Sequence, residues 1–365
     1  MQATTHSSFM SLALQLAEQG RLTVSPNPMV GCIIVKDDRI VGQGFHQRAG
    51  EPHAEIYALR EAGTAARGAT AYVSLEPCCH YNRTPPCTDA LIRAGIKKVY
   101  VACLDPNPLV AGKGIEALRE AGITVETGML EAEASRLNEI FFHFMRHKRP
   151  FVIAKWAMSL DGKTITHPHD SKNISSSESR HTTHLLRQQV DAILIGARTA
   201  IDDNPLLTVR LDAENEKNIK HPVRLILSSR GELPLDLRLF DSSMPAKILL
   251  ATTDAMKADQ HKALRDKNIE VLVLPPDEQG RVDLSSLLDE LGKKNITSLL
   301  VEGGMTIHES FFRKNLVNKI HVYLAPVIIG AMKQKQLIPY VQFSQIHGDF
   351  HFEANYYKEH TCSAE

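Results

Sequence analysis

His53-Ala54-Glu55, followed downstream by Glu76-Pro77-Cys78-Cys79-His80-Tyr81-Asn82-Arg83-Thr84-Pro85-Pro86-Cys87, decides how this chain is read. Each cluster opens a helix in the hydrophobic pattern, the second directly after a strand. His53, Cys78 and Cys87 offer one imidazole and two thiolates, a donor set that tetrahedral zinc accepts while leaving its fourth position to water. Zinc lowers the pKa of bound water toward about 7 and so supplies hydroxide at neutral pH. Glu55, two residues beyond His53, can reach that water without ligating the metal and carry its proton to a substrate atom. A closed structural site, with Cys79 or His80 as fourth ligand, is the bland alternative. It calls for no carboxylate at Glu55, and the catalytic reading is preferred.

His-x-Glu followed by Pro-Cys-x-x-Cys is the general signature of zinc deaminases, which hydrolyse an amino group from a nitrogen heterocycle. Here eight residues separate Cys78 from Cys87, and Pro85-Pro86 stiffen the approach to Cys87.

Outward from the clusters, Phe9, Leu12, Ala13, Leu16 and Ala17 recur at helical spacing, with Gly20 as a stop. Residues 30–35 form an apolar run, Asp37-Asp38 a turn and 40–44 a second extended run, which predicts a hairpin. Residues 53–62, 88–94 and 114–121 read as helices, 70–75, 98–104 and 124–127 as strands, and 131–147 as one long helix. Strands alternating with helices predict a mostly parallel sheet covered on both faces, an α/β/α sandwich. The charged, proline-ended His147-Lys148-Arg149-Pro150 then closes the first unit, giving domains of 1–147 and 148–365. Beyond it, strands at 151–157, 192–195, 223–227, 247–251, 299–301 and 321–324 alternate with helices, a second α/β domain.

With 42 Lys plus Arg against 42 Asp plus Glu, no global positive field draws in a polyanion, so a small substrate is expected and nucleic acid is not. Hydrophobic residues at 43% and charged residues at 23% exclude a disordered chain. No secretory signal opens the sequence and no apolar run approaches the roughly 18 residues of a membrane span. Three of the six cysteines crowd into ten positions, which reads as metal in a cytoplasmic protein and not as a disulfide framework.

The second half is less explicit. No Gly-x-Gly-x-x-Gly follows a strand, so a Rossmann site is not supported. A strand, Gly303-Gly304 and a helix start can hold a phosphate on backbone N–H groups, although such a turn is more often plain turn chemistry. Arg187 and Arg210 suit a phosphomonoester, or are solvated surface residues. Asp161-Gly162 is readable as a type I′ turn. Lys155 lies inside an apolar run, where a strand buried on both faces would demand a partner or a function for it.

Ser25-Pro26-Asn27-Pro28-Met29-Val30-Gly31-Cys32, the two zinc clusters, Lys155-Trp156-Ala157-Met158-Ser159-Leu160-Asp161-Gly162-Lys163, Gly196-Ala197-Arg198-Thr199, the run from Asp202 to Arg210, and Val301-Glu302-Gly303-Gly304 together resemble the bifunctional deaminase/reductase family of riboflavin biosynthesis. The resemblance covers nearly the whole chain. It implies a cytidine-deaminase-like N-terminal domain that deaminates 2,5-diamino-6-ribosylamino-4(3H)-pyrimidinone 5′-phosphate. It also implies a dihydrofolate-reductase-like C-terminal domain that uses NADPH to reduce the ribosyl group of 5-amino-6-(5-phosphoribosylamino)uracil to ribityl. By position, His53, Cys78 and Cys87 become zinc ligands, Glu55 the proton shuttle, and Asn27, His80, Arg83 and Thr84 substrate contacts. Ala157, Asn173, Thr199, Asp203, Ser229 and the turn from Gly304 fall on the nucleotide side. Ser171, Arg187, Leu207, Arg210 and Glu302 fall on the substrate side, and Lys155 is expected to act near the ring-opened sugar or the cofactor. The family often has Trp where this chain has Asn173, so a stacking surface is missing or supplied elsewhere. Members of the family commonly self-associate, and a homo-oligomer is expected. The competing reading, a nucleic-acid-editing deaminase with a C-terminal binding module, lacks interleaved basic and aromatic residues to support it.

Overall fold

The structure, a computed structural model, describes residues 6–80, 85–164, 173–211, 219–241, 246–330, 336–337, 342–346 and 349–353. Helix α1 (His6–Glu18) leads into the hairpin β1 (Gly31–Lys36) and β2 (Arg39–Phe45). Asp37 and Asp38 take φ of 49° and 57°, the left-handed pair of a type I′ turn, whose twist matches that of the strands it joins. There follow α2 (Ala54–Ala62), β3 (Thr70–Val73), α3 (Cys87–Ala94), β4 (Lys98–Val101), α4 (Lys113–Glu120), β5 (Thr124–Thr127), α5 (Glu131–Leu137) and α6 (Glu139–His147). The sheet order is β2-β1-β3-β4-β5. Here β3, β4 and β5 are parallel, but β1 is antiparallel to both its neighbours. The sheet is therefore mixed and not mostly parallel, because a two-residue turn can join only antiparallel strands. One apolar cluster packs α2 and α3 on one face, and a second packs α1, α5 and α6 on the other, so the three-layer order holds.

The single long helix expected over 131–147 is broken at Asn138, with φ −104° and ψ 22°. The buried carboxamide of Asn138 accepts from Met29 N at 2.8 Å and donates to Met29 O at 2.9 Å. It pairs that backbone as a strand residue would, and the two bonds offset the lost helical turn.

The second sheet has β6 (Phe151–Ser159), β7 (Ala192–Gly196), β8 (Val223–Leu227), β9 (Ile248–Thr252), β10 (Glu270–Val273), β11 (Ser298–Val301) and β12 (Lys319–Ala325). Helices α7 (Ser177–Gln189), α8 (Ala197–Asp203), α9 (Ala258–Asp266), α10 (Leu284–Lys293) and α11 (Met305–Arg313) connect them. The order is β10-β9-β8-β7-β11-β6-β12 with every neighbouring pair parallel. Apolar clusters on both faces explain why β7 and β11 are buried throughout. Strand β10 carries no clear signal because it is an edge strand with a half-exposed pattern. Two short pairs, β13 (Val327–Ile328) with β14 (Gln336–Leu337) and β15 (Gln342–Ile346) with β16 (Asp349–Glu353), follow. Gly162 takes φ +78° but Asp161 is not left-handed, so Asp161-Gly162 is not a type I′ turn. The Asp161 carboxylate instead accepts from Ile329 N and Gly330 N at 3.0 and 2.6 Å.

The two sheets meet through the connector after α6. Gly292 of α10 lies against it so closely that a Cβ there would sit 1.9 Å from Lys148 O. Gly292→Ala is therefore expected to destabilise the full chain by roughly 1–3 kcal/mol through overpacking, read as a lower urea midpoint; an unchanged midpoint would show that the contact is not tight in solution.

Candidate functional site

Past β3 the chain runs along the carboxyl end of the parallel strands, held there by Glu76. Its carboxylate accepts from Asp105 N at 3.2 Å and from Gly112 N and Gly114 N at 3.0 Å each, at the start of α4 where negative charge is favoured. Gly114 leaves room for this approach, since a Cβ there would lie 2.2 Å from Pro77 O. Cys78 is thereby set beside the first residue of α3, Cys87, whose N–H donates to Cys78 Sγ at 3.4 Å. His53, just before α2, places Nδ1 3.3 Å from Cys87 Sγ and 3.5 Å from Cys78 Sγ. All three donor atoms lie within 4.8 Å of one another, and the edge of a zinc tetrahedron with such ligands is roughly 3.5 Å. Among the described residues no fourth His, Cys, Asp or Glu joins this group. His80 lies outside it, and Cys79 Sγ faces Leu109 O at 3.9 Å.

Without a metal the three donors compete for protons. The bond to Cys78 raises the His53 pKa to about 9. The bond from Cys87 pulls Cys78 down to about 4, and the same interaction together with burial pushes Cys87 up. A dication relieves this crowding by taking the place of the proton. Glu55 is 2% exposed, and its Oε2 has no partner among the described residues. Burial pushes its carboxyl up, which suits a group that must hold and release a proton near neutrality.

Two residues beside the cluster were not anticipated. His46, buried at the end of β2, stands edge-on to the His53 ring with centroids 5.4 Å apart. Its Nδ1 is 3.1 Å from Pro52 O, which can only accept, so Nε2 is left to accept from Asn27 Nδ2 at 3.2 Å. Burial lowers the His46 pKa and keeps that nitrogen an acceptor. Asp105, just past β4, is raised to about 6 by burial, with the His80 charge acting against the rise. A carboxylate beyond the carboxyl end of a parallel strand was the available signal, since ligands bind at such edges. Arg83 and Thr84 lie outside the described residues.

The second half holds a cleft of about 950 Å³ lined by Lys155, Ala157, Asn173, Thr199, Asp203, Ser229, Gly304, Arg187, Arg210 and Glu302. The N-terminus of α11 opens into it after Gly304 with φ +81° and no side-chain cap, an arrangement that favours an anion. Leu207 is not on the wall; its side chain is buried in the core. Ser171 lies outside the described residues. Arg187 is not an open phosphate clamp. Its fork is committed to Glu302 at 2.7 Å on both sides and to Thr208 O at 3.2 Å. Burial raises the Glu302 carboxyl, and the Arg187 charge more than reverses this, as a buried carboxylate requires. Arg210, by contrast, hydrogen-bonds Thr208 Oγ1 with its side chain and His184 through its backbone among the described residues. Burial and the neighbouring Arg187 both lower its pKa, so an arriving anion would stabilise it. Lys155 is not buried on both faces; it emerges half-exposed into the cleft, 5.4 Å from the Tyr323 ring centroid. Trp156, the chain's single tryptophan, lines the same cleft, with its ring 5.6 Å from that of the buried His308.

The family profile of the RibD C-terminal domain matches residues 150–359, and that of the cytidine and deoxycytidylate deaminase zinc-binding region matches residues 3–103. The riboflavin biosynthesis protein RibD of Aquifex aeolicus is 45% identical over 323 residues, 88% of this chain and 87% of its own. The solved structure of Acinetobacter baumannii RibD superposes with a TM-score of 0.79 at 38% identity, covering 95% of this chain and 97% of that one. A diaminohydroxyphosphoribosylaminopyrimidine deaminase/5-amino-6-(5-phosphoribosylamino)uracil reductase from Thermotoga maritima gives 0.77 at 35% identity, covering 93% and 94%.

Replacing Glu76 by Ala would unpair four backbone N–H groups, those of Asp105, Gly112, Gly114 and Ile115, and free the strut behind Cys78. The expected outcome is a stability loss of about 3 kcal/mol and a fall in zinc per chain in the purified protein. Wild-type values for both would show that Glu76 does not hold the cluster.

Proposed function

The chain belongs to the RibD family of riboflavin-biosynthesis enzymes, and we propose that its zinc cluster and its 950 Å³ cleft carry that family's two successive reactions on the residues described above. It is a bifunctional deaminase and reductase. The nucleic-acid-editing alternative is not favoured, because both halves match this family. We divide the chain at 147/148, between α6 and β6.

The observation that carries the deaminase assignment is the group of three donors within 4.8 Å, with a buried carboxylate beside it whose Oε2 has no partner among the described residues. His53, Cys78 and Cys87 would hold zinc, which when bound supplies a water made nucleophilic at neutral pH. Glu55 would then carry one water proton to the ring nitrogen and the second, from the hydroxyl added to the ring, to the amino group, which leaves as ammonia. Asn27, oriented by His46, hydrogen-bonds the pyrimidinone. His80 and Asp105 face the rest of 2,5-diamino-6-ribosylamino-4(3H)-pyrimidinone 5′-phosphate, and Arg83 is a further contact to it.

In the reductase half, NADPH would supply the hydride. Ala157, Asn173, Thr199, Asp203 and Ser229 face the nucleotide, and the α11 N-terminus at Gly304 faces its phosphates. Trp156 offers an aromatic surface in the cleft that Asn173 cannot. Arg210 receives the phosphate of 5-amino-6-(5-phosphoribosylamino)uracil, Ser171 is a further substrate contact, and Leu207 supports the substrate side from the core. Arg187 holds Glu302, which together with Lys155 addresses the opened sugar. No helix among the described residues is long and apolar enough to cross a membrane, and the five described cysteines are free, which supports the reducing cytoplasm. Exposed Ile320 and Val322 on the edge strand β12, with exposed Phe312 on α11, support self-association.

Each half can be silenced alone. Glu55→Gln is expected to cut ammonia release by at least about 10²-fold, with zinc retained and NADPH oxidation on the deaminated substrate intact. Lys155→Met should do the converse. Stripping zinc with a chelator should abolish deamination only. Undiminished ammonia release in Glu55→Gln, or undiminished NADPH oxidation in Lys155→Met, would remove that residue from its role.

A further inference from the structure

The segment that presents Asn27 is pinned on both sides, each time two residues away. On one side Asn138 clasps both backbone groups of Met29. On the other, Ser25 Oγ lies 2.9 Å from each carboxylate oxygen of Asp191, a residue of the other half of the chain. Asp191 stands just before β7 and is itself immobilised. Its N–H donates to Ser298 Oγ at 2.9 Å, and its C=O accepts from Val223 N at 2.8 Å. Its carboxylate accepts from Thr297 N at 2.9 Å, Thr297 Oγ1 at 2.6 Å and Lys220 Nζ at 2.8 Å. Burial pushes the Asp191 carboxyl up, and Lys220 with the Thr297 bonds more than reverses that.

A rigid, ionised acceptor fixed to a parallel sheet is a strong point of attachment for a hydroxyl on a loop, since hydrogen bonds to charged groups are the stronger ones. The halves are also joined elsewhere, by Lys319 with Glu139 and Asn318 with His143, so the Ser25 contact is not needed merely to keep them together. What it adds is local, because it fixes the entry to the Ser25–Met29 segment. We propose that Asp191, in the reductase half, is a positioning residue for deamination: through Ser25 it sets the segment that aims Asn27 at the pyrimidinone. This rests on the reading of Asn27 as a substrate contact. It also makes the deaminase site dependent on the other domain for its shape, although both of its reacting side-chain clusters lie within the first 147 residues.

The test uses the zinc-loaded full chain and both activities. Ser25→Ala should raise the deaminase KM about tenfold, the loss of one charge-assisted hydrogen bond, with kcat within about twofold and both reductase constants unchanged. Asp191→Asn should do the same, the double variant should be no worse than either single one because the two share one path, and Ser25→Thr, which keeps the hydroxyl, should restore the wild-type KM. Asn27→Ala is run alongside. If it leaves the deaminase KM at the wild-type value, the reading of Asn27 fails and the inference with it. If it raises KM while Ser25→Ala and Asp191→Asn do not, the inference alone fails. Deaminase and reductase activities falling together in Asp191→Asn and Ser25→Ala would also overturn it, since that is loss of domain packing and not of loop placement.

Discussion

Two sulfurs and an imidazole nitrogen held within 4.8 Å of one another compete for protons unless a cation stands among them, and the rest of the N-terminal half follows from having to hold them there. The sulfur of Cys87 sits at the first turn of α3 and His53 just before α2, where the positive ends of the helices favour electron-rich donors. Cys78 has no helix of its own. It is fixed by the Glu76 carboxylate, which spends its lone pairs on the backbone that starts α4. A carboxylate therefore acts twice near the cluster, in opposite ways. Glu76 is saturated with hydrogen bonds and serves as a strut, whereas Glu55 has an oxygen without a partner and is chemically available.

This difference marks what could be read from the sequence. Donor type and spacing alone picked out His53, Glu55, Cys78 and Cys87, because few other uses exist for that combination of residues. His46 and Asp105 could not be singled out from their neighbours in the sequence, since nothing local distinguishes a histidine or an aspartate that closes a pocket from one that faces water. Their meaning comes from the sheet order β2-β1-β3-β4-β5, which brings separate strand ends to one edge. The fold was legible where pattern is local, as at the Asp37-Asp38 hairpin and the apolar β7. It was misread over 131–147, where the helical pattern is correct on both sides of Asn138 but the side chain between them has a distant partner in Met29.

The second half reverses the balance. Its glycine turn and arginines carry little meaning singly, and only resemblance joined them. Even then resemblance located Arg187 without saying what it does. A carboxylate as buried as Glu302 cannot stay ionised unpaired, so Arg187 is consumed in holding it. Arg210, on the wall of the same cleft, is left without such a carboxylate partner among the described contacts, and burial and Arg187 oppose its charge.

Both halves thus use the same device, in which one polar side chain is fully committed so that its neighbour stays poised. Arg187 commits to Glu302 while Arg210 stays under-compensated; Glu76 commits to backbone while Glu55 keeps one oxygen without a partner among the described residues. The Asp191 network extends the pattern across the domain boundary, because its carboxylate is saturated by Thr297, Lys220 and Ser25 and has nothing left for a ligand. A group so placed cannot take part in chemistry. It can only transmit position, and the position it transmits is that of the loop leading to Asn27. Fusing the two activities in one chain then has a structural consequence beyond proximity: the sheet of the second enzyme supplies part of the frame of the first.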